Sequence, residues 1–139
     1  MKRIILFIAS IFLSFNLLAQ YCTSNGNTDY STSTTRVVFN TIDNSSGKPS
    51  GYSDYTSIST TVNTGSSYNL TVQVNTDGNY TIYSMVWIDW NHDGDFTDPG
   101  EEYNLGTATN VSNGATSASP YSVTIPTTAT TGNTRMRVS

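Results

Sequence analysis

Apolar and polar residues alternate over several short stretches of the chain. This two-residue period is typical of a β-strand with one buried and one solvated face. The clearest stretch is 68–75, whose apolar face carries Tyr68, Leu70, Val72 and Val74. Further short strands are predicted at 36–40, 56–62, 103–105, 121–125 and 134–138, with turn-forming residues between them.

Residues 80–90 form the most apolar of these segments. One face of the predicted strand carries Ile82, Val86 and Ile88, and the other carries Tyr83, Met85 and Trp87. A strand that is apolar on both faces is expected in the middle of a sheet. We therefore expect it to hold rigidly the acidic segment that follows.

The chain shows no helical period, and beyond residue 20 it is rich in Ser, Thr, Asn, Gly and Tyr. Helix formers are scarce there and strand formers are abundant. Short strands separated by turns predict an all-β fold, an antiparallel β-sandwich of the immunoglobulin or jelly-roll kind. Residues 21–139 have the length of one such domain.

The first 20 residues have the pattern of a secretory signal peptide. Lys2 and Arg3 are followed by an apolar run that ends near Ala19 and Gln20, where cleavage is expected. The run is short for a membrane span and contains polar residues. Tyr21 is too bulky for the position before a lipidated cysteine, so we expect an exported protein, secreted or at the cell surface, without a membrane span after cleavage.

The charge balance is acidic. The chain has ten Asp and Glu residues against six Lys and Arg, a net charge of −4, and removal of Lys2 and Arg3 would bring it to −6. This balance argues against nucleic acid or an anionic membrane as a partner.

Six of the ten acidic residues lie within 87–102. Asp89, Asn91 and Asp93 alternate along this segment, and Gly94 follows where a sharp turn needs a positive φ. Like charges at this density repel one another unless water screens them or a cation neutralises them. The D-x-N-x-D-G spacing predicts a loop that wraps oxygen ligands around Ca²⁺. The alternative is an acidic, solvated turn that binds nothing.

The match to an EF-hand loop is partial. With Asp89 first, the closing twelfth position is Gly100, and Glu101 comes one residue late. The segment before the loop reads as a strand, so we expect a calcium loop on a β scaffold. Asp89, Asn91 and Asp93 are the first ligand candidates. Asp95 would contribute its carbonyl, and Asp98 and Glu101 compete for the closing carboxylate.

Catalysis is not favoured by the sequence. His92 is the only histidine, which excludes a zinc site built from several histidines of this chain, and Cys22 is the only cysteine. The carboxylates fit a cation better than a glycosidase-like pair. We therefore expect no enzyme.

Two non-enzymatic functions remain. Exposed Trp and Tyr side chains would suit a carbohydrate-binding module, whose partner is an extracellular glycan. In the alternative, Tyr83 and Trp87 pack in the core while Trp90 and Phe96 pin the loop, and the protein is a structural or adhesion module that contacts other proteins. An exposed coplanar aromatic pair would distinguish the two.

Four motifs occur in a fixed order along residues 21–139. They are Tyr21-Cys22, Gly51-Tyr52-Ser53-Asp54-Tyr55-Thr56, the Trp87–Phe96 run, and Thr134-Arg135-Met136-Arg137-Val138. In this order they resemble the GEVED domain family of secreted bacterial proteins. The resemblance implies a β-sandwich that serves as an accessory module beside other domains of a larger secreted protein, in some cases a peptidase.

The chain departs from the family near its C-terminus. The Gly-Glu-Val-Glu-Asp motif that names the family is absent, and so is the cysteine that commonly precedes it. The resemblance therefore implies a C-terminally incomplete domain, in which Cys22 lacks a disulfide partner.

Overall fold

The computed structural model describes residues 21–139, so the predicted signal peptide lies outside the described residues. These residues form strands and no helix. The strands are β1 (Ser33–Phe39), β2 (Ile42–Ser45), β3 (Ser67–Asn75), β4 (Thr81–Ile88), β5 (Glu102–Thr109), β6 (Ser112–Ala115), β7 (Tyr121–Thr124) and β8 (Met136–Val138).

The first sheet is built around β3. Its strand order is β2-β1-β3-β6, and β7 also pairs with β3; every pairing is antiparallel. The alternation predicted for 68–75 is confirmed, because Leu70, Val72 and Val74 are buried while the residues between them are partly exposed. This sheet thus presents one apolar face to the rest of the molecule.

The second sheet has the order β5-β4-β8, again antiparallel, which confirms the central position expected for 80–90. Only one face of β4 is buried, namely the face that carries Ser84, Val86 and Ile88. The expectation that Tyr83 packs in the core is wrong, since Tyr83 is 77% exposed on the outer face. A central strand in a small sheet needs to be apolar only on the side that faces the other sheet.

The apolar faces of the two sheets form a single core. Its members are Val37, Phe39, Leu70, Val72, Val74, Val86, Ile88, Trp90, Tyr103, Leu105, Ala108, Val123 and Ile125. Two antiparallel sheets around one core are the predicted β-sandwich. Trp90, expected to pin the loop, is buried in this core, and its Nε1 donates to the Tyr103 hydroxyl at 2.8 Å.

The strand predicted at 56–62 is not formed. Ile58 is 41% exposed, and Val62 alone of the apolar set packs against the core. The segment is tied to the β1–β2 turn by side chains, since Asn40 Nδ2 donates to Thr60 Oγ1 at 2.9 Å and to the Thr61 carbonyl at 2.8 Å. Alternation alone does not make a strand, because a strand also needs backbone pairing with a neighbour, and residues 56–62 pair with no strand of either sheet.

Candidate metal centre

The acidic loop, residues 89–101, connects β4 to β5 across the end of the second sheet. Its ends are fixed by backbone hydrogen bonds. The Ile88 N–H donates to the Glu101 carbonyl at 2.9 Å, and the Asp89 N–H donates to the Arg135 carbonyl at 3.1 Å. The loop therefore starts and ends on the rigid strand pair, as the sequence predicted.

Asp89 is fully buried at the base of the loop. Its Oδ1 accepts the His92 N–H at 2.7 Å, and its Oδ2 accepts the Gly94 N–H at 3.1 Å. Both donors belong to residues with positive φ, 63° at His92 and 90° at Gly94, which turn the backbone back over the carboxylate. Gly94 supplies the conformational freedom that the sequence pattern indicated.

The middle of the loop repeats one contact every two residues. The Asp93 N–H donates to Asn91 Oδ1 at 3.0 Å, the Asp95 N–H to Asp93 Oδ1 at 3.1 Å, and the Thr97 N–H to Asp95 Oδ1 at 2.8 Å. Each side chain thus caps the backbone two positions on, as Asx turns do. The repeat coils the loop and gathers its carboxylates on one side.

Three carboxylates converge in this coil. Oxygen atoms of Asp93, Asp95 and Asp98 lie within 4.8 Å of one another. The Asn91 amide lies among them, with Nδ2 donating to Asp98 Oδ2 at 2.6 Å and to Asp93 Oδ2 at 3.0 Å. Within residues 21–139 the one salt bridge joins Arg36 to Asp43, so no Lys or Arg forms a salt bridge with this cluster.

Glu101 is not among the three converging carboxylates and lies inside the protein, at 2% exposure. Its Oε1 accepts the Trp90 N–H at 2.7 Å, and its Oε2 is buried without a hydrogen-bond partner. Burial raises the pKa of this carboxyl, the backbone N–H groups of Trp90 and Asn91 partly offset the rise, and the negative charges of Asp89 and Asp98 add to it. Glu101 also lines a recess of about 260 Å³ with Asn91 and Asp98.

The predicted ligand set therefore falls into two layers. Asn91, Asp93, Asp95 and Asp98 meet at the surface of the loop, and Asp89 and Glu101 are buried beneath it. Carboxylate and amide oxygens of this kind suit a hard cation such as Ca²⁺. The His92 ring packs against Gly132: its Cε1 lies 3.3 Å from the position that a Cβ atom on Gly132 would occupy.

Residues 83–139 match the family model of the GEVED domain. The match runs from within β4 to the end of β8 and includes the whole acidic loop, so the suspected resemblance is confirmed over this part of the chain. No curated protein and no solved structure matched the chain.

The GEVED match indicates a module of a larger protein, from a family of secreted-protein modules. Among residues 21–139 no helix is long and apolar enough to cross a membrane.

One contact of the acidic loop could not be foreseen from the sequence. The Tyr21 hydroxyl donates to Asp89 Oδ2 at 2.6 Å, across 68 positions of the chain. Burial raises the pKa of this phenol, and the hydrogen bond to the Asp89 carboxylate raises it further. No local pattern links a residue before the first strand to a loop after the fourth.

The aromatic side chains around the acidic loop and on β4, β5 and β7 are spread over the core, the loop and the surface. Tyr103 and Tyr121 pack edge to face in the interior, with ring centroids 5.8 Å apart. Phe96 stacks on Tyr21, at 4.8 Å and tilted by 30°. Trp87 lies partly exposed on the outer face of β4, and its Nε1 donates to Glu102 Oε2 at 3.1 Å.

Proposed function

We propose that the protein is a non-catalytic, exported module whose acidic loop binds one Ca²⁺ that stabilises the β-sandwich. The supporting observation is the group of Asp93, Asp95 and Asp98, whose oxygen atoms lie within 4.8 Å of one another without a Lys or Arg partner. A divalent cation removes the mutual repulsion of such a group.

Glu101 gives independent support for the site. A buried carboxylate oxygen without a donor costs folding free energy, because the lost hydration is not replaced. Glu101 Oε2 is such an oxygen, and it belongs to a side chain that shares a recess with Asp98 and Asn91. A cation in the loop would supply the missing partner.

The ligand roles follow from the two layers. Asp93, Asp95 and Asp98 supply carboxylate oxygens at the surface, and Asn91 joins them once its amide oxygen faces the ion. Glu101 closes the site from inside. Asp89 holds the coil through His92 and Gly94 and retains a free lone pair on Oδ1. Together these side chains supply close to the six to eight oxygen ligands that Ca²⁺ takes, and water molecules supply the remainder.

The test is a melting curve of the purified protein in excess EDTA and then at rising Ca²⁺. A midpoint that climbs with calcium concentration shows that the folded state binds the ion, and a hundredfold excess over Kd stabilises by about 2.7 kcal/mol. Mg²⁺ at equal concentration is the matched control, because it needs a stricter octahedral shell. A melting midpoint that does not change with calcium would show that the loop is a solvated turn that binds no ion.

Export and modular use are parts of the same proposal. The match to a secreted-module family and the charged, then apolar, start of the chain support them. Partners would be other domains of a larger secreted protein, and the module would serve in adhesion or as a spacer at the cell surface. N-terminal sequencing of the protein recovered outside the cell is expected to begin close to Tyr21, and an intact Met1 there would contradict export by signal cleavage.

A carbohydrate-binding role is the second candidate. A groove of about 760 Å³ beside the acidic loop has Trp87 and Phe96 among its walls and Glu102 and Arg137 among its charged groups. Sugars stack on aromatic faces and use such groups for their hydroxyls. Titration of bacterial and host polysaccharides into the protein and into Trp87→Ala tests this role. Binding that survives the substitution would exclude this groove.

A further inference from the structure

Tyr21, which lies ahead of β1 in the chain, is fastened to the acidic loop by a hydrogen bond and by ring stacking. The Tyr21 hydroxyl donates a hydrogen bond to Asp89 Oδ2 at 2.6 Å. Its ring lies 4.8 Å from the ring of Phe96, centroid to centroid. Asp89 and Phe96 both belong to the acidic loop, so Tyr21 holds the loop at two points.

Two arginines at β8 extend this contact into a row of four side chains. The Arg135 guanidinium lies 5.2 Å from the centroid of the Tyr21 ring, and the Arg137 guanidinium lies 5.1 Å from that of Phe96. Arg137 also donates to the Cys22 carbonyl at 2.6 Å and contacts its Sγ at 2.9 Å. Residues 21–22 are therefore held between the acidic loop and the last strand of the second sheet.

Both anchor points on the loop depend on the conformation of the loop. The Asp89 carboxylate is oriented by the His92 and Gly94 N–H groups, and Phe96 follows directly on Asp95 of the carboxylate cluster. Without a cation, the unneutralised carboxylates favour conformations that separate them. Those conformations also displace Phe96 and Asp89 from Tyr21.

We propose that cation binding in the acidic loop docks residues 21–22 onto the second sheet, so that the module holds its N-terminal arm in a calcium-dependent way. This inference rests on the proposed calcium site. By linkage the effect is reciprocal: if calcium strengthens docking of Tyr21 by some factor, loss of that docking weakens calcium binding by the same factor.

Cys22 is the single cysteine of the chain and is exposed, so a nitroxide spin label can be attached to its thiol. The experiment measures the mobility of that label by electron paramagnetic resonance, because docking of residues 21–22 restricts its motion. We expect calcium to raise the ratio of immobilised to mobile label about fivefold or more. Tyr21→Phe keeps the ring stack but removes the hydrogen bond to Asp89, so it should lose most of this response. Tyr52→Phe, at a 46% exposed tyrosine, is the matched control and should behave as wild type.

Calcium titration calorimetry on the same samples separates the two proposals. Weaker calcium binding by Tyr21→Phe, by the factor seen in the mobility of the spin label, supports the coupling. If the wild-type protein binds calcium but the mobility of its label does not change with calcium, the docking proposal is overturned while the calcium site stands. Absence of calcium binding in the wild-type protein overturns both.

Discussion

Glu101 carries a negative charge into the interior of the protein, and only half of that carboxylate is satisfied. Oε1 accepts the Trp90 N–H, whereas Oε2 is buried without a donor. If this carboxylate had only a structural role, a neutral side chain in its place would stabilise the protein, because burying an unpaired charge costs free energy. If the carboxylate is a cation ligand, it must keep its charge. Substitution at this residue therefore separates the two roles.

Glu101→Gln is expected to stabilise the calcium-free protein and to destabilise the calcium-bound protein. In EDTA the variant should be more stable than wild type by about 1–3 kcal/mol, because it still accepts the Trp90 N–H and loses the buried charge. In saturating calcium it should be the less stable protein. Urea unfolding in both buffers measures the two differences. Glu102→Gln, at the neighbouring exposed position, is the control, and a loss of stability by Glu101→Gln in both buffers would contradict the ligand role.

The same carboxyl predicts a pH dependence for the calcium-free protein. Its pKa is raised above the ordinary 4.5 in the folded state by burial and by Asp89 and Asp98, so folding favours the protonated form. Stability from this group therefore rises as the pH falls through the folded pKa, and it is complete below 4.5. Asp43 and Asp54 act oppositely at lower pH, because their pKa values are lowered by Arg36 and by Thr56. Melting from pH 7 to 4.5 in metal-free buffer should show a rise in wild type that Glu101→Gln lacks.

Asp93 tests the surface layer of the site. It is exposed and accepts only the Asp95 N–H and the Asn91 amide, so Asp93→Ala should cost no more than about 1 kcal/mol in EDTA. In calcium it should remove most of the stabilisation that the ion provides. Asp29→Ala, outside the loop, is the control. Thermal melts with and without calcium measure the difference, and an equal loss in both buffers would exclude Asp93 as a ligand.

At the residue scale the sequence predicted a loop around Asp89, Asn91 and Asp93, with Asp95 contributing its carbonyl. The structure brings together the carboxylates of Asp93, Asp95 and Asp98 instead, and Asp89 is buried apart from them. Burial of Asp89 and Glu101 depends on β8 and the 126–129 turn packing over the loop, which local spacing does not encode. Tyr21 was missed for the same reason.

At the scale of elements, β4 gives a matched comparison within one strand. Val86 is fully buried on the inner face, and Tyr83 is 77% exposed on the outer face. Val86→Ala should cost about 2–3 kcal/mol through lost burial and the cavity left behind. Tyr83→Ala should change stability by no more than about 1 kcal/mol, through strand propensity alone. Urea midpoints measure both, and a larger loss from Tyr83→Ala would mean that the outer face of β4 is covered.

The sequence predicted correctly those strands whose alternating apolar residues face the opposite sheet. β3 carries buried apolar residues at every second position from Leu70 to Val74, and in β7 Val123 is buried and Tyr121 is half-buried on the same face. Residues 56–62 alternate as well, but a strand also needs a partner edge, and pairing partners are not encoded in the period. β6 went unpredicted because Ser112–Ala115 holds its place by hydrogen bonding to β3 rather than by apolar side chains.

At the scale of the whole molecule, negative charge is concentrated at one end of the sandwich. Five of the ten acidic residues lie between positions 89 and 101, and the one salt bridge within residues 21–139 lies elsewhere, on β1 and β2. Their mutual repulsion opposes folding of the metal-free protein, and it is long-ranged only at low ionic strength. A bound divalent cation would cancel most of it.

Salt should therefore stabilise the metal-free protein more than the calcium-bound one. Raising KCl from about 0.01 M to 1 M shortens the screening length from about 30 Å to about 3 Å, so the EDTA melting midpoint should climb while the calcium midpoint moves less. The triple variant Asp93→Asn, Asp95→Asn, Asp98→Asn removes the surface charges at nearly constant shape and should lose most of the salt response in EDTA. If the variant kept that response, the destabilising repulsion would not come from Asp93, Asp95 and Asp98, and calcium would have no excess charge to neutralise at those three residues.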